Sequence, residues 1–156
     1  MVKRSIVWSL GVLMMLAALG GFALDDAAIE RADALYDDDQ PQAALEALED
    51  ALPTATNDRE RAEVLWRLSR ATLDVGEQQE DRGEDEDTVL ATYVQGEEYG
   101  IQAVEADPNN HLGYYWQSAN IGKWGQRKGI LNALFKAAPM RDLLRSAVTV
   151  DPEHAD

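Results

Sequence analysis

The residues of this chain best able to do chemistry are its carboxylates, and they crowd into one run: Glu77 to Asp87 holds seven acids in eleven positions. Such a run can bind calcium, but an EF-hand loop needs alternating ligands, a mid-loop glycine and a terminal glutamate, and that order is not met. The run reads instead as a solvated, mobile loop, and Asp37 to Asp39 as a turn at a helix end. His111 and His154 each follow an Asp-Pro pair, and histidine can ligate metals or shuttle protons. Their equivalent places are a full repeat apart, however, and no carboxylate is spaced along the chain to orient either ring. Ser69, Ser118 and Ser146 fall inside helical patterns with no glycine-flanked nucleophile elbow. Gly122, Gly125 and Gly129 stand near Lys123 and Lys128 but follow no strand, so they make no phosphate-cradling loop. The absence of cysteine excludes disulfides, thiolate metal sites and a cysteine nucleophile. The expectation is a protein with no catalytic residues, no metal and no cofactor.

Charge is divided along the chain. The whole carries −15, which sets a like-charged field against nucleic acid and anionic lipid as general partners. Asp25 to Asp107 holds 25 acids and 6 bases, whereas Lys123 to Arg145 holds Lys123, Arg127, Lys128, Lys136, Arg141 and Arg145 against Asp142 alone. Two readings follow. In one, the basic segment lies against the acidic repeats and lowers self-repulsion. In the other, Trp116, Lys123, Trp124, Arg127, Lys128 and Arg141 line part of a concave surface that receives an acidic peptide or anionic solute.

The elements that must position these residues are helices. Pro41 to Leu52 pairs with Asp26 to Asp37 as a short hairpin, with Pro41 at the first helical position. Arg59 to Val75 carries two apolar stripes, Leu65, Leu68, Thr72 and Val75 beside Ala62, Trp66, Ser69 and Leu73, as an internal helix would. Thr88 to Ala106 follows, and its Gly96 and Gly100, each costing roughly 1 kcal/mol against alanine, imply a close helix crossing. His111 to Gly122 is next, interrupted by Gly122 to Gly129. Ile130 to Ala138 resumes the spacing, Pro139 breaks or kinks it, and Met140, Leu143, Leu144, Ala147 and Val148 complete an amphipathic pattern. No alternating strand pattern stands out, so the expected class is all-α.

Helix endings recur. Ala103-Val104-Glu105-Ala106-Asp107-Pro108 returns as Ala147-Val148-Thr149-Val150-Asp151-Pro152, and a weaker echo ends at Pro53. These helix pairs resemble tetratricopeptide repeats, in units of about 25–53, 57–108 and 110–152. The resemblance implies an α-α superhelix that binds other proteins. Leu65-Trp66-Arg67-Leu68-Ser69-Arg70-Ala71, Tyr99 to Pro108, Tyr115-Trp116-Gln117-Ser118-Ala119 and Gly122-Lys123 look like the helical-repeat domain of the regulator-of-microtubule-dynamics family, over roughly 62–152. Extracytoplasmic relatives of such domains, some accompanying transporter solute-binding proteins, supply a further analogy.

Residues 1–23 stand apart. Lys3 and Arg4 precede an apolar run ending in Gly20, Gly21 and Ala23, the pattern of a secretory signal peptide; at about 20 residues the run also suits an uncleaved membrane anchor. Both readings put 24–156 outside the cytoplasm, periplasmic or secreted after cleavage. Asp151 to Asp156 copies the turn that opens the helix at His111 without a helix following. The apolar face of Met140 to Val148 is therefore expected to be partly exposed, with self-association or a longer natural protein as consequences. The expected function is an extracytoplasmic scaffold or binding module for a protein partner; the alternatives are a transporter-accessory protein that docks a periplasmic solute-binding protein and an enzyme of unidentified type.

Overall fold

The computed structural model describes residues 26–155, and of Ile130, Asn132, His154 and Ala155 it describes the backbone. The segment 1–23 lies outside the described residues. Among the described residues six α-helices make the fold: α1 (Asp26–Asp37), α2 (Pro41–Ala51), α3 (Asp58–Asp81), α4 (Glu86–Ala106), α5 (His111–Lys128) and α6 (Ile130–Val150). Among the described residues there is no strand, so the class is all-α. Consecutive helices pack in pairs across short turns, and α3 also touches α2 and α5.

Both stripes expected on α3 are buried: Ala62, Leu65, Trp66, Leu68, Ser69, Thr72, Leu73 and Val75 all face neighbours. One core, around Leu48, Leu65, Leu68 and Ala103, joins the first two helix pairs to the start of α5. A second, around Leu73, Val89 and Tyr93, lies under Trp116, Ala119 and Trp124. Gly96 and Gly100 mark the expected crossing. A Cβ on Gly100 would stand 2.7 Å from Gln117 Cα, and one on Gly96 would overlap the Asn120 carboxamide.

The turns follow ordinary capping rules. Asn57, Asp85 and Asn110 accept from main-chain N–H groups of the first turns of α3, α4 and α5. Asp39 (φ 59°) and Gly83 (φ 72°) end α1 and α3 in the left-handed region. In both, paired hydrogen bonds close the helix end, Gln40 N–H to Leu35 O with Asp39 N–H to Tyr36 O, and Glu84 N–H to Gln79 O with Gly83 N–H to Glu80 O.

Three expectations about helix limits are corrected. The acidic run is no loop: α3 continues through Glu77 to Asp81 and α4 begins at Glu86. Glutamate and glutamine are good helix formers, and Gly76 is held in the helix against the Tyr93 ring, 2.5 Å from where its Cβ would lie. The glycines after Ile121 do not interrupt α5. A Cβ on Gly125 would lie 3.2 Å from Ala133 Cα, so that glycine lets α6 approach, and only Gly129 (φ 99°) separates the two helices. Pro139 does not break α6, which runs through it. Having no N–H, Pro139 cannot donate to the Phe135 carbonyl; both residues are exposed, where water can serve that group.

Candidate functional site

The basic segment occupies the end of α5 and most of α6. Its lysines reach back to the acidic repeats: Lys123 pairs with Glu77, Lys128 lies 3.4 Å from Glu86 and Lys136 lies 2.9 Å from Glu97. These pairs carry the third hairpin's charge onto α3 and α4, the arrangement in which opposite charges lower self-repulsion. Arg141 contacts its neighbour Asp142 at 2.9 Å. Arg127 is exposed beside Tyr93, whose hydroxyl is pushed well above the usual phenol range, first by burial and then by Glu80.

The two tryptophans are half-buried. Trp116 bridges both cores, meets Tyr115 edge-on at 5.0 Å between centroids, and its buried indole Nε1 has no hydrogen-bond partner among the described residues. Trp124 packs on the second core with the Lys136 ammonium 5.2 Å from its ring centroid. The Gly122–Met140 and Gly125–Ala133 contacts set α5 and α6 antiparallel. Arg141 therefore lies near the level of Gly122, away from Arg127 and Lys128. The structure groups Trp124, Lys128 and Lys136 at one end, leaves Trp116 in the interior, and holds Arg141 apart.

Residues not anticipated from the sequence are Leu131, Leu134 and Phe135, which are 75, 65 and 83% exposed. The inner face of α6 is carried by Ala133 against Gly125, Lys136 against Glu97, and Met140 near Gly122. With a lysine turned inward, the apolar residues on the opposite side of the helix face out. Further along, Leu144 and Val148 are 38 and 46% exposed, as expected of that face. Together with His111, Leu112, Tyr115, Ala147 and Asp151 they line a groove of about 480 Å³ between α5 and α6.

His111 needs a correction as well. Asp151 Oδ2 lies 3.5 Å from His111 Nδ1, so a carboxylate does orient this ring, brought there by the antiparallel return of α6 rather than by local spacing. Among the described residues no group of three or more histidine, aspartate or glutamate side chains is placed to hold a metal. Nor, among them, is any helix long and apolar enough to cross a membrane.

On the opposite side of α3 an ionic and aromatic cluster ties the first hairpin down. Asp33 receives Arg67 at 3.0 Å and Arg70 at 2.6 Å. The Arg70 guanidinium sits 3.7 Å from the Tyr36 ring centroid, and that of Arg67 lies 4.2 Å from the Trp66 ring. Glu63 joins the cluster to α5 by accepting from Trp66, Arg67 and Asn110.

Comparison with known proteins bears on this arrangement of helices. The model of the family "Regulator of microtubule dynamics protein 1-3" matches residues 28–156. The chain belongs to that family. The match takes in the first hairpin, beyond the 62–152 stretch whose motifs carry the resemblance. Regulator of microtubule dynamics protein 1 of Bos taurus is 27% identical over 127 residues, covering 81% of this chain and 38% of the relative. The protein of the same name from Pongo abelii is 26% identical over 144 residues, 92% of this chain and 43% of its own length. The chain thus spans about two-fifths of these curated relatives. Their names are those of regulators and not of enzymes. No solved structure matches.

Proposed function

We propose that this family member is an extracytoplasmic, tetratricopeptide-like superhelix that binds a protein partner as a scaffold and performs no bond chemistry. One observation carries the reading: Leu131, Leu134 and Phe135 stand largely exposed on one face of α6, with Arg127 and Lys128 on the turn that precedes it. Apolar side chains grouped on a surface and rimmed by charge are the mark of an interaction site. The Lys123–Glu77, Lys128–Glu86 and Lys136–Glu97 pairs hold that face in place. The microtubule activity in the relatives' names belongs to chains more than twice as long as this one. A domain exported behind Lys3, Arg4 and the apolar run to Leu24 would not meet tubulin.

The test is capture of partners by the full chain from its own cell envelope at low and high salt. Phe135→Ser with Leu131→Ser, and separately Arg127→Glu with Lys128→Glu, should each release the partner, the second effect being mimicked by salt. Retention of every partner by both double variants would sink the reading.

A further inference from the structure

The α5–α6 groove repeats a seat that the chain fills once already. Where α5 begins, the Cβ that Gly113 lacks would lie 3.2 Å from both Ala103 Cβ and Val104 Cγ2. The first turn of α5 therefore crosses α4 directly on the Ala103–Val104 pair, and Ala103 is fully buried. The same sequence recurs at Ala147-Val148 and Asp151-Pro152, and the recurrence extends to geometry. Asp107 (φ −138°, ψ 98°) and Asp151 (φ −136°, ψ 92°) cap their helices alike, each donating its N–H to the carbonyl of Ala103 or Ala147. The second pair is built as the first is, yet no described helix crosses it, and Tyr115, Leu144 and Val148 are left 47, 38 and 46% exposed around it.

Charge states what kind of helix fits. On α4, Glu97 receives Lys136 from the next hairpin. Forty-four residues on, the corresponding position on α6 is Arg141, and Arg141 and Arg145 are exposed, with Asp142 between them. They stand one turn from Leu144 and Val148, on the rim of the groove. The far end of the groove is closed by His111 and Asp151. Lys136 belongs to α6 and not to the helix that fills the first seat, so the charge of the open seat is read from its own rim, where Arg141 and Arg145 outnumber the single Asp142 they share and ask for further carboxylates.

We propose that this seat docks one amphipathic helix of a partner protein, with glycine or alanine in its first turn crossing Ala147–Val148 and carboxylates reaching Arg141 and Arg145. The proposal rests on the reading of the chain as a protein-binding module, but it concerns a different surface from Leu131, Leu134 and Phe135.

The full chain is titrated with labelled synthetic helical peptides of about 18 residues: one carries a first-turn glycine, leucines on one face and glutamates on the flank, a second has lysine for each glutamate, and a third has leucine for the glycine. The acidic glycine peptide should saturate, and both altered peptides should bind at least about tenfold more weakly. Val148→Glu, a change at an exposed position, should weaken the acidic peptide to the same degree with helical circular dichroism unchanged, and Arg145→Glu should narrow the preference for glutamate over lysine. Equal binding of the lysine peptide, or undiminished binding by Val148→Glu, overturns the proposal. So does self-association that Val148→Glu abolishes, which would give the seat to a second copy. Failure of the peptides alongside capture of an envelope partner through Leu131 and Phe135 removes this inference and leaves the module reading intact.

Discussion

The hydroxyl of Ser69 donates a 2.7 Å hydrogen bond to the main-chain carbonyl of Gly96, tying α3 to α4 in the interior. Asn120 of α5 closes the junction by donating to the Ser69 carbonyl at 3.0 Å and lying 3.1 Å from its hydroxyl. All three residues are buried, so each polar group depends on the others for what water would have supplied. Ser69→Ala should destabilise the chain by about 1–3 kcal/mol, and Asn120→Ala by at least as much. Denaturant midpoints would measure both; a loss within error of zero for Ser69→Ala would show the junction to be incidental.

Gly100 and Gly83 are glycines for different reasons. At Gly100 a methyl group would meet Gln117 main chain at 2.7–2.9 Å, so Gly100→Ala should cost about 1–3 kcal/mol in spite of alanine's better helix propensity. At Gly83 nothing lies within reach of a Cβ, but φ is 72°, and Gly83→Ala should cost about 1 kcal/mol from backbone strain alone. Taking away the Gln117 Cβ, 2.6 Å from the added methyl group, should discriminate the two: Gln117→Gly ought to rescue Gly100→Ala in part and leave Gly83→Ala unchanged.

Asp39 takes the same left-handed conformation as Gly83 without being glycine. Asp39→Gly should raise stability by up to about 1 kcal/mol, because it relieves the Cβ penalty in a hydrogen-bonded helix end. The thermal midpoint is the readout, and a fall would contradict the assignment of that turn.

Asp74 sets a pH dependence. Its carboxyl is held above the usual range, first by burial, with Glu77 adding to the effect and the hydrogen bond from Tyr36 opposing it. A carboxyl raised in the folded state binds more protons there than in the unfolded chain between its ordinary and its raised value. The stability it contributes is complete below the ordinary value and is lost as pH rises through the raised one. Asp74→Asn should accordingly raise stability at neutral pH and flatten the gain on mild acidification, as urea titrations across that interval would show.

The extent to which the sequence was legible depends on how local each signal is. The two stripes of α3 and the Gly96–Gly100 crossing could be read because period and residue size report directly on packing. The acidic run could not, since its composition matches both a loop and a solvated helix end, and only Tyr93 behind Gly76 decides between them. The helical spacing of Ile130 to Ala138 does not say which side of α6 faces out, and Leu131, Leu134 and Phe135 are placed there only once Lys136 is known to turn inward to Glu97, a contact 39 residues away in the chain. His111 met Asp151 for the same reason, through tertiary return rather than spacing. Of the six candidate binding residues, Lys123 and Lys128 stand in ion pairs and Trp116 in the interior, relations that no linear spacing encodes.

The central position of α3 has a consequence for how the chain opens. It shares walls with α2, α4 and α5 and grips α1 through Asp33, so the first two hairpins cannot come apart without exposing Leu65, Leu68 and Thr72. Amide hydrogens there should exchange with solvent last, by the rarest and most global fluctuation. Those of α6, whose outer face no other described element covers, should exchange first, and the molecule should shed its third hairpin as a unit before the rest gives way.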